Sequence, residues 1–494
     1  MTQKFWMVAT WIGVALWVVS ANAGGDFQVG VASVEITPPG EVALWGQFHL
    51  RVSKTPETPL TANIAALQAG ETKVTLVSLD LLQLSDELVQ AVREAVGKKD
   101  AGIPQDSIVM AATHTHTAPT LTRGRGIEQS ESKEKIPLPG MAGNENLLTV
   151  EETISFLADR ISDGIVAAWK NLKPGKMTYG LDRNSIGFGR RVVYANGSAA
   201  MYGATNREDF RNLEGMDDDD VGTIFFLDTA DNLLAILVNV ACPSQVVEGR
   251  HAINADYWRV VREKLQARYG QSVVILGTCS AAGDISPRPL VQKKANERMR
   301  QLRGVDEMAE IARRIELSVS QTWDAVQKAA DSQPILKHQK LCLELPLLNF
   351  TEAQYQEIKK MYDHYCRLAA DEKTAGQAFM GKAWCGFALK RYELLQKNPD
   401  AAWGVEVHVV RIGDTVLCTN PFELFTEYGI RMKARSAATQ TFVVQLSGFG
   451  SYLPTERALQ GGGYSAIPQS CFFSPAGGQK LVDETVKAIQ KMFP

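Results

Sequence analysis

The chain has 494 residues, of which 45% are hydrophobic and 22% charged, and its formal net charge is −3. This length allows a large hydrophobic core and more than one domain, and the composition is that of an ordinary globular protein. A small negative charge without a basic stripe lacks the electrostatic footprint of nucleic-acid binding, so that class of function is excluded.

Residues 1–23 have the layout of a secretory signal peptide. One lysine precedes an apolar run over 5–19, and Ala21 and Ala23 form an A-x-A-like cleavage site. The run is shorter than the roughly 20 residues that a membrane-spanning helix needs, which favours cleavage over an uncleaved anchor. We therefore predict an exported protein, secreted or periplasmic, with no transmembrane segment in the mature chain.

The seven cysteines agree only in part with the predicted export of the protein. An odd number in an exported protein leaves at least one thiol outside any disulfide. Cys366 and Cys385 are candidates for a disulfide within a helical segment, although the sequence does not fix the connectivity.

Strands and helices alternate along most of the chain. The predicted strands are "FQVGVASVEI", "TKVTLVSLDLL", "SIVMAATHTH", "SVVILGTCS" and "TFVVQLSGFG", and the predicted hairpins pair "VGTIFFLD" with "LLAILVNVAC" and "VEVHVVRIG" with "DTVLCTN". Ser85 is expected to cap a helix, a polar loop is expected over 124–146, and further helices are expected over 150–172, over 305–330 and at the C-terminus. This order predicts a single large mixed α/β domain over 24–494, with a helical insertion at about 351–397.

Small polar clusters follow five of the apolar strands. They are "THTH", "ACPSQ", "AAGDISPR", "PFE" and "FGSYLPT". Ligands of α/β proteins bind beyond the carboxyl ends of parallel strands, because the loops there converge. The repeated pattern predicts one site at the carboxyl ends of the strands.

His114 and His116 are two of only seven histidines and lie two residues apart. If the strand stays extended through "THTH", both side chains point to the same face. They are then able to share a metal, or one binds it while the other handles protons or substrate. A surface turn is the plain alternative.

Other polar segments admit two interpretations each. Ser286, in "GDISP", is well placed for chemistry after a buried strand, but together with Asp284 it also fits a turn with a helix cap. Glu423 lies among apolar residues, so a metal or another cation is expected beside it, unless it stabilises the first turn of a helix. The run "MDDDDVG" lacks the spaced ligands of a calcium loop and is interpreted as a solvated turn.

Together these motifs resemble the catalytic domain of neutral/alkaline ceramidases. The resemblance is carried by "VGVASVEITPPG", "AATHTHTAP", "GDISP" and the tyrosine segment "SYLPT", and it covers nearly the whole mature chain. It implies a zinc-dependent amidase that cleaves an N-acyl amide, in the family's best-known case ceramide. The longer members carry a C-terminal β-sandwich domain, and we expect no counterpart of it after the tyrosine segment.

The resemblance also implies roles for individual residues. The zinc ligands of the family map onto His114, Cys242, Glu423 and Tyr452. The positions that line the substrate or take part in catalysis map onto His116, Ser286 and Tyr464. A substrate-contacting arginine falls on Arg183, Arg190 or Arg191.

Cys242 stands where the family has its second zinc histidine. A thiolate binds zinc well, so a His-Cys-Glu-Tyr set is chemically possible. Alternatively His251 takes this place, or the metal is lost. The first functional hypothesis is a secreted zinc hydrolase of ceramide or another N-acyl compound, acting through metal-activated water. A hydrolase of acylated sugars or esters and a metal-free binding protein are the alternatives.

Overall fold

A computed structural model describes residues 26–122, 146–371, 373–378 and 380–493. The predicted signal peptide and all but the last residue of the predicted loop over 124–146 lie outside these ranges. Inside them, none of the helices combines the length and the apolar character needed to cross a bilayer.

The described chain contains many short strands and ten α-helices. The strands are β1 (Gln28–Glu35), β2 (Val42–Leu44), β3 (Arg51–Ser53), β4 (Thr61–Ala69), β5 (Thr72–Leu79), β6 (Ile108–Ala112), β7 (Lys173–Arg183), β8 (Phe188–Gly189), β9 (Arg191–Tyr194), β10 (Ala199–Met201), β11 (Phe210–Leu213), β12 (Asp220–Asp228), β13 (Leu233–Val240), β14 (Val274–Cys279), β15 (Ile285–Ser286), β16 (Leu336–Pro346), β17 (Ala402–Ile412), β18 (Thr415–Thr419), β19 (Glu423–Leu424), β20 (Gln440–Val444) and β21 (Tyr452–Leu453). The helices are α1 (Asp86–Lys99), α2 (Val150–Lys170), α3 (Tyr257–Tyr269), α4 (Lys293–Arg303), α5 (Glu307–Val326), α6 (Glu352–Ala370), α7 (Gly381–Lys397), α8 (Thr426–Arg435), α9 (Glu456–Gly461) and α10 (Pro475–Met492).

Two mixed sheets form the centre of the protein. The larger has the strand order β14-β13-β12-β7-β1-β4-β5-β6, and the smaller has the order β16-β17-β18-β20. The pairs β5–β6, β13–β14 and β18–β20 are parallel, and the other neighbours in these two sheets are antiparallel.

The two sheets pack face to face, and helices cover their outer faces. Along β4, Ala65 and Leu67 pack towards the smaller sheet, whereas Ile64 and Ala66 pack towards the layer of α1 and α2. This alternation follows from the two-residue period of a strand, and both faces are apolar because both are covered. Helices α3 and α5 extend the layer of α1 and α2 over the larger sheet, and α8 and α10 cover the outer face of the smaller sheet. The arrangement is a single mixed α/β domain of four layers, which confirms the predicted fold class.

Several predicted elements lie where the sequence places them. The hairpins β12–β13 and β17–β18 are both present. Ser85 caps α1, because its side chain accepts a hydrogen bond from the Leu88 N–H at 3.2 Å. The predicted helical insertion is the pair α6 and α7, which lies between β16 and β17.

Two expectations need correction. The strand before the histidines does not stay extended through "THTH": β6 ends at Ala112, and His114 has a left-handed φ of 70°. All seven cysteines are free thiols, so Cys366 and Cys385 do not form the candidate disulfide.

Candidate functional site

The turn after β6 brings the two histidine rings together. The ring centroids of His114 and His116 are 4.8 Å apart, and their Nε2 atoms are 3.4 Å apart. A positive φ is costly for a residue with a side chain, and such conformations concentrate at functional sites. The turn, rather than an extended strand, therefore places both imidazoles at one point.

Hydrogen bonds to backbone carbonyls orient each imidazole. Nδ1 of His114 lies 2.8 Å from the carbonyl oxygen of Leu82, and Nδ1 of His116 lies 3.0 Å from that of Gly46. A ring nitrogen beside a carbonyl must carry the proton, so Nε2 of a neutral imidazole is left with a free lone pair. Gly46 has a φ of 103°, and a Cβ on it would lie 2.6 Å from Nδ1 of His116, so only glycine fits there.

Glu423 and Tyr452 face the histidines from the smaller-sheet half of the domain. They are direct partners in the parallel pair β19–β21, which places their side chains side by side. Oε2 of Glu423 lies 3.4 Å from Nε2 of His114, and the carboxylate accepts a hydrogen bond from the Tyr452 hydroxyl. Burial alone would raise the pKa of Glu423, but His114, Arg190 and Tyr452 hold it below its usual value.

Arg190 is the arginine that reaches this cluster. Its guanidinium lies 3.3 Å from the Tyr452 hydroxyl and 3.8 Å from Oε2 of Glu423, and the side chain is almost completely buried. Arg183 is instead largely exposed, and Arg191 is buried in an ion pair with Glu214.

Tyr464 lies beside Tyr452, with ring centroids 5.6 Å apart at a steep angle. The residue lines a cavity and is 37% exposed as a whole, with the ring packed against Tyr452. Arg191 holds the backbone here, because its Nη1 donates to the carbonyl oxygen of Tyr464 at 3.1 Å. Burial and the nearby Glu423 raise the pKa of the Tyr464 phenol, which therefore stays protonated at neutral pH.

Gln245 is a member of the cluster that sequence analysis missed. Its amide nitrogen lies 2.6 Å from Nε2 of His116, and its amide oxygen accepts from Nη1 of Arg190 at 3.1 Å. The position follows Cys242 by three residues in "CPSQ", which was the one signal available. Arg51 was also missed; its buried guanidinium donates to the carbonyl oxygen of His116 at 2.7 Å.

Ser286 is buried beside the cluster. Its hydroxyl accepts the Arg288 N–H at 3.1 Å and lies 3.4 Å from the Tyr202 hydroxyl, which in turn contacts Arg190. The neighbouring Asp284 accepts from both the N–H and the hydroxyl of Thr426, the first residue of α8. Both residues of "GDISP" therefore organise turns at the edge of the site.

The structure does not bring Cys242 or His251 to the other candidates. Cys242 is buried in an apolar cluster with Tyr257, and burial raises the pKa of its thiol well above the usual value. Its thiol contacts the carbonyl oxygen of Pro243 at 3.7 Å. His251 is exposed to solvent.

A cavity of about 190 Å³ opens onto the cluster, and we refer to it as the site cavity. His114, His116, Glu423, Tyr452 and Tyr464 form its polar end. The rest of its lining is mainly aromatic and apolar, with Trp45, Phe48, Met380, Trp384, Phe387, Phe449 and Phe472. Such a lining with a few convergent polar groups is typical of a site for a small organic ligand.

The donor atoms allow a test of whether zinc fits. Catalytic zinc is held by three protein ligands from nitrogen, oxygen or sulfur donors, with a fourth position for water. Nε2 of His114, the carboxylate of Glu423 and the hydroxyl of Tyr452 supply three such donors, and the carboxylate contacts each of the other two. In the part of the chain that the structure describes, no three His, Cys, Asp or Glu side chains cluster as a metal site, so the fit depends on the tyrosine oxygen.

Comparison with known proteins shows similarity at the level of structure. No protein-family model and no curated protein matches this sequence. The neutral ceramidase from Pseudomonas aeruginosa is similar with a TM-score of 0.66 at 16% identity, over 94% of this chain and 75% of that one. A ceramidase complexed with C2 is similar with a TM-score of 0.64 at 16% identity, over 95% of this chain and 76% of that one. The predicted resemblance to ceramidases is thus confirmed in the fold.

Proposed function

We propose that this protein is a zinc-dependent hydrolase of N-acyl amides, with ceramide or a related N-acyl compound as substrate. The observation that carries the proposal is the convergence of His114, Glu423 and Tyr452 beside His116 at the polar end of the site cavity. The apolar remainder of the cavity suits an acyl chain. The two similar structures are both ceramidases, which supports an N-acyl amide as the substrate.

The residues of the chain divide the work of hydrolysis. Nε2 of His116 is unprotonated and takes a proton from the attacking water, whose oxygen bonds to the amide carbon. The Tyr464 hydroxyl donates a hydrogen bond to the negative charge that develops on the carbonyl oxygen. Arg190 does not line the site cavity, and it holds the Tyr452 hydroxyl and the Gln245 amide in position. The C–N bond then breaks, and His116 returns the proton to the leaving amine nitrogen. Gln245 must release Nε2 of His116 before the proton transfer, because it occupies the lone pair.

We propose that zinc is held by His114, Glu423 and Tyr452. When bound, it supplies Lewis-acid polarisation of the carbonyl and lowers the pKa of bound water towards about 7. The proposal omits Cys242, since its thiol packs in an apolar cluster.

Metal content and turnover measured on the same preparations test this proposal. Protein purified without chelators should contain one zinc per chain and hydrolyse N-acyl lipids in preference to acetylated sugars. Glu423→Gln should lose both the metal and turnover, because a neutral amide is a poor zinc ligand. Cys242→Ala is the matched control and should keep both.

Loss of zinc in Cys242→Ala would instead establish the thiolate as a fourth ligand. Wild-type protein that takes up no zinc and shows no turnover, yet binds an N-acyl lipid, would replace the hydrolase with a metal-free binding protein.

We assign Ser286 a positioning role through Tyr202 rather than that of a nucleophile. Its hydroxyl is engaged in a turn and does not line the site cavity. Ser286→Ala should therefore keep kcat within about tenfold of the wild type, whereas loss of a nucleophile costs far more, on the order of 10⁶-fold. A burst of product in rapid-quench kinetics, abolished in Ser286→Ala, would contradict this role.

We also propose that the protein is exported. This rests on the sequence of residues 1–23. The N-terminal sequence of protein recovered from the cell exterior or periplasm should begin at Gly24, and protein that retains Met1 in the cytoplasm would contradict export.

A further inference from the structure

Three phenylalanine rings separate the site cavity from a second space. Phe387, Phe449 and Phe472 line both the site cavity and a neighbouring cavity of about 60 Å³, which we call the side chamber. Their ring centroids lie 5.5–6.3 Å apart, so the three rings contact one another. The wall between the two spaces is therefore one layer of rings, which rotamer changes are able to open.

Helix α7 runs along both spaces. Ala383, Trp384 and Phe387 line the site cavity, and Phe387, Lys390, Arg391 and Leu394 line the side chamber. From Trp384 onward, Phe387, Arg391 and Leu394 follow one another at spacings of three or four residues and form one helical stripe. The same face of one helix thus leads from the polar cluster to the side chamber.

Arg391 places a buried cation in the apolar side chamber. The residue is 5% exposed, and it donates from Nε to the carbonyl oxygen of Leu348 at 2.9 Å and from Nη2 to that of Pro468 at 2.7 Å. Its Nη1 is buried without a hydrogen-bond partner. Among the described residues, no aspartate or glutamate forms an ion pair with it, and the rings of Phe350 and Phe472, 5.2 and 5.9 Å away, offset only part of its charge.

A buried charge and a buried unused donor are both costly unless a partner satisfies them. The partner that satisfies both is an anionic oxygen, and a carboxylate has the geometry that a guanidinium binds best. Apart from Arg391, the chamber is lined by Lys390, a second cationic residue, and by apolar residues, which include Leu347, Trp403 and Phe473. The ligand group that fits is therefore a carboxylate at the end of an apolar chain.

We infer that the acyl chain of the substrate passes between Phe387, Phe449 and Phe472 and ends in the side chamber in a carboxylate bound by Arg391. The inference rests on the proposed function, because the polar cluster fixes the position of the amide at the other end of the chain. The substrate class is accordingly an amide of a dicarboxylic acid rather than of a simple fatty acid.

Paired probes test this inference by binding and by turnover. Free monocarboxylic and dicarboxylic acids of equal length, titrated by calorimetry, test the chamber without requiring catalysis. N-acyl amides of one fluorogenic amine, ending in a methyl group or a carboxylate, test it during turnover. Wild-type protein should prefer the carboxylate-ended member of each pair by about tenfold or more, the equivalent of one charge-assisted hydrogen bond.

Separate variants test the contribution of Arg391 and that of the phenylalanine rings between the two cavities. Arg391→Met should lower the preference for the carboxylate-ended member of each pair by about tenfold. Arg411→Met is the matched control, because Arg411 is also buried, donates to backbone carbonyls and lies 4.0 Å from a ring, yet lines neither cavity. If Arg391→Met does not fold, Phe387→Trp thickens the wall without changing Arg391 and should weaken only the probes long enough to reach the chamber.

The outcomes distinguish this inference from the proposed function. Equal binding of the paired acids by the wild type, or an unchanged preference in Arg391→Met, would overturn it. Preferential binding of the diacid without any amide turnover supports the Arg391 site and counts against the hydrolase. Turnover without a preference for the carboxylate counts against this inference alone.

Discussion

Replacing His116 with alanine should lower kcat for an N-acyl amide by about 10²- to 10⁴-fold, the range that a positioned acid–base group contributes. Nδ1 lies beside the carbonyl oxygen of Gly46, so Nε2 carries the lone pair, which accepts a proton once Gln245 has released it. Burial, His114 and the cation of Arg190 hold the pKa of His116 well below its usual range. The imidazole is therefore neutral at physiological pH and able to accept a proton.

The same pKa direction predicts the shape of the pH profile. A depressed pKa means that His116 is protonated only well below pH 6.5, so its contribution to turnover should persist as the pH falls through that value. kcat measured between neutral and acidic pH checks this, with zinc content monitored in parallel. His251→Ala is the matched control, because this exposed histidine should leave kcat unchanged. An unchanged kcat in His116→Ala would remove the residue from the mechanism.

Replacing Arg191 with methionine should lower the free energy of unfolding by about 3–5 kcal/mol, the cost of removing one partner of a buried ion pair. Arg191 and Glu214 are both buried, and Nε of the arginine donates to the carboxylate. The Nη atoms donate to the carbonyl oxygens of Ala458, Gly462 and Tyr464 at 2.8–3.2 Å. The substitution leaves a buried carboxylate and three carbonyls without their donor.

Urea unfolding of wild type and variant measures this loss. Arg183→Met is the control, because its side chain is 78% exposed and its ion pair with Asp220 at 3.3 Å should contribute no more than about 1 kcal/mol. The double variant with Glu214→Gln should recover part of the loss, since no buried charge remains unpaired. A loss in Arg191→Met no larger than in Arg183→Met would show that the buried pair does not hold the Tyr464 segment.

Local patterns predicted most of the elements and drew attention to His114, His116 and Glu423, whereas Tyr452 and Tyr464 were implied only by the resemblance to ceramidases. The hairpins, the Ser85 cap and the insertion follow from periodicity and capping chemistry, which are properties of neighbouring residues. The face-to-face packing of two sheets was not predicted, because strands buried on both faces have continuous apolar runs that do not say what covers each face. The fold class was therefore predictable, whereas the order of its layers was not.

The details of the site depend on contacts between distant residues. The sequence placed His114 and His116 together for the wrong local reason, since an expected strand is a turn with a positive φ. The sequence did not distinguish among three arginines as the one near the site. The contact with Tyr452 identifies Arg190 as the arginine that reaches the polar cluster. Gln245 was not predicted, because an amide side chain has no distinctive sequence signature. Its contact with His116 joins two residues that are far apart in the sequence.

The polar cluster is assembled from both halves of the domain. His114 follows a strand of the larger sheet, whereas Glu423 and Tyr452 belong to the short pair that accompanies the smaller sheet. A ligand that bridges them binds only when the two sheets are joined, so its binding energy adds to the cohesion of the whole molecule. Occupancy of the site and resistance to unfolding are consequently linked quantities. A compound that raises the melting temperature of the protein is thereby detected as a ligand, before any reaction is measured.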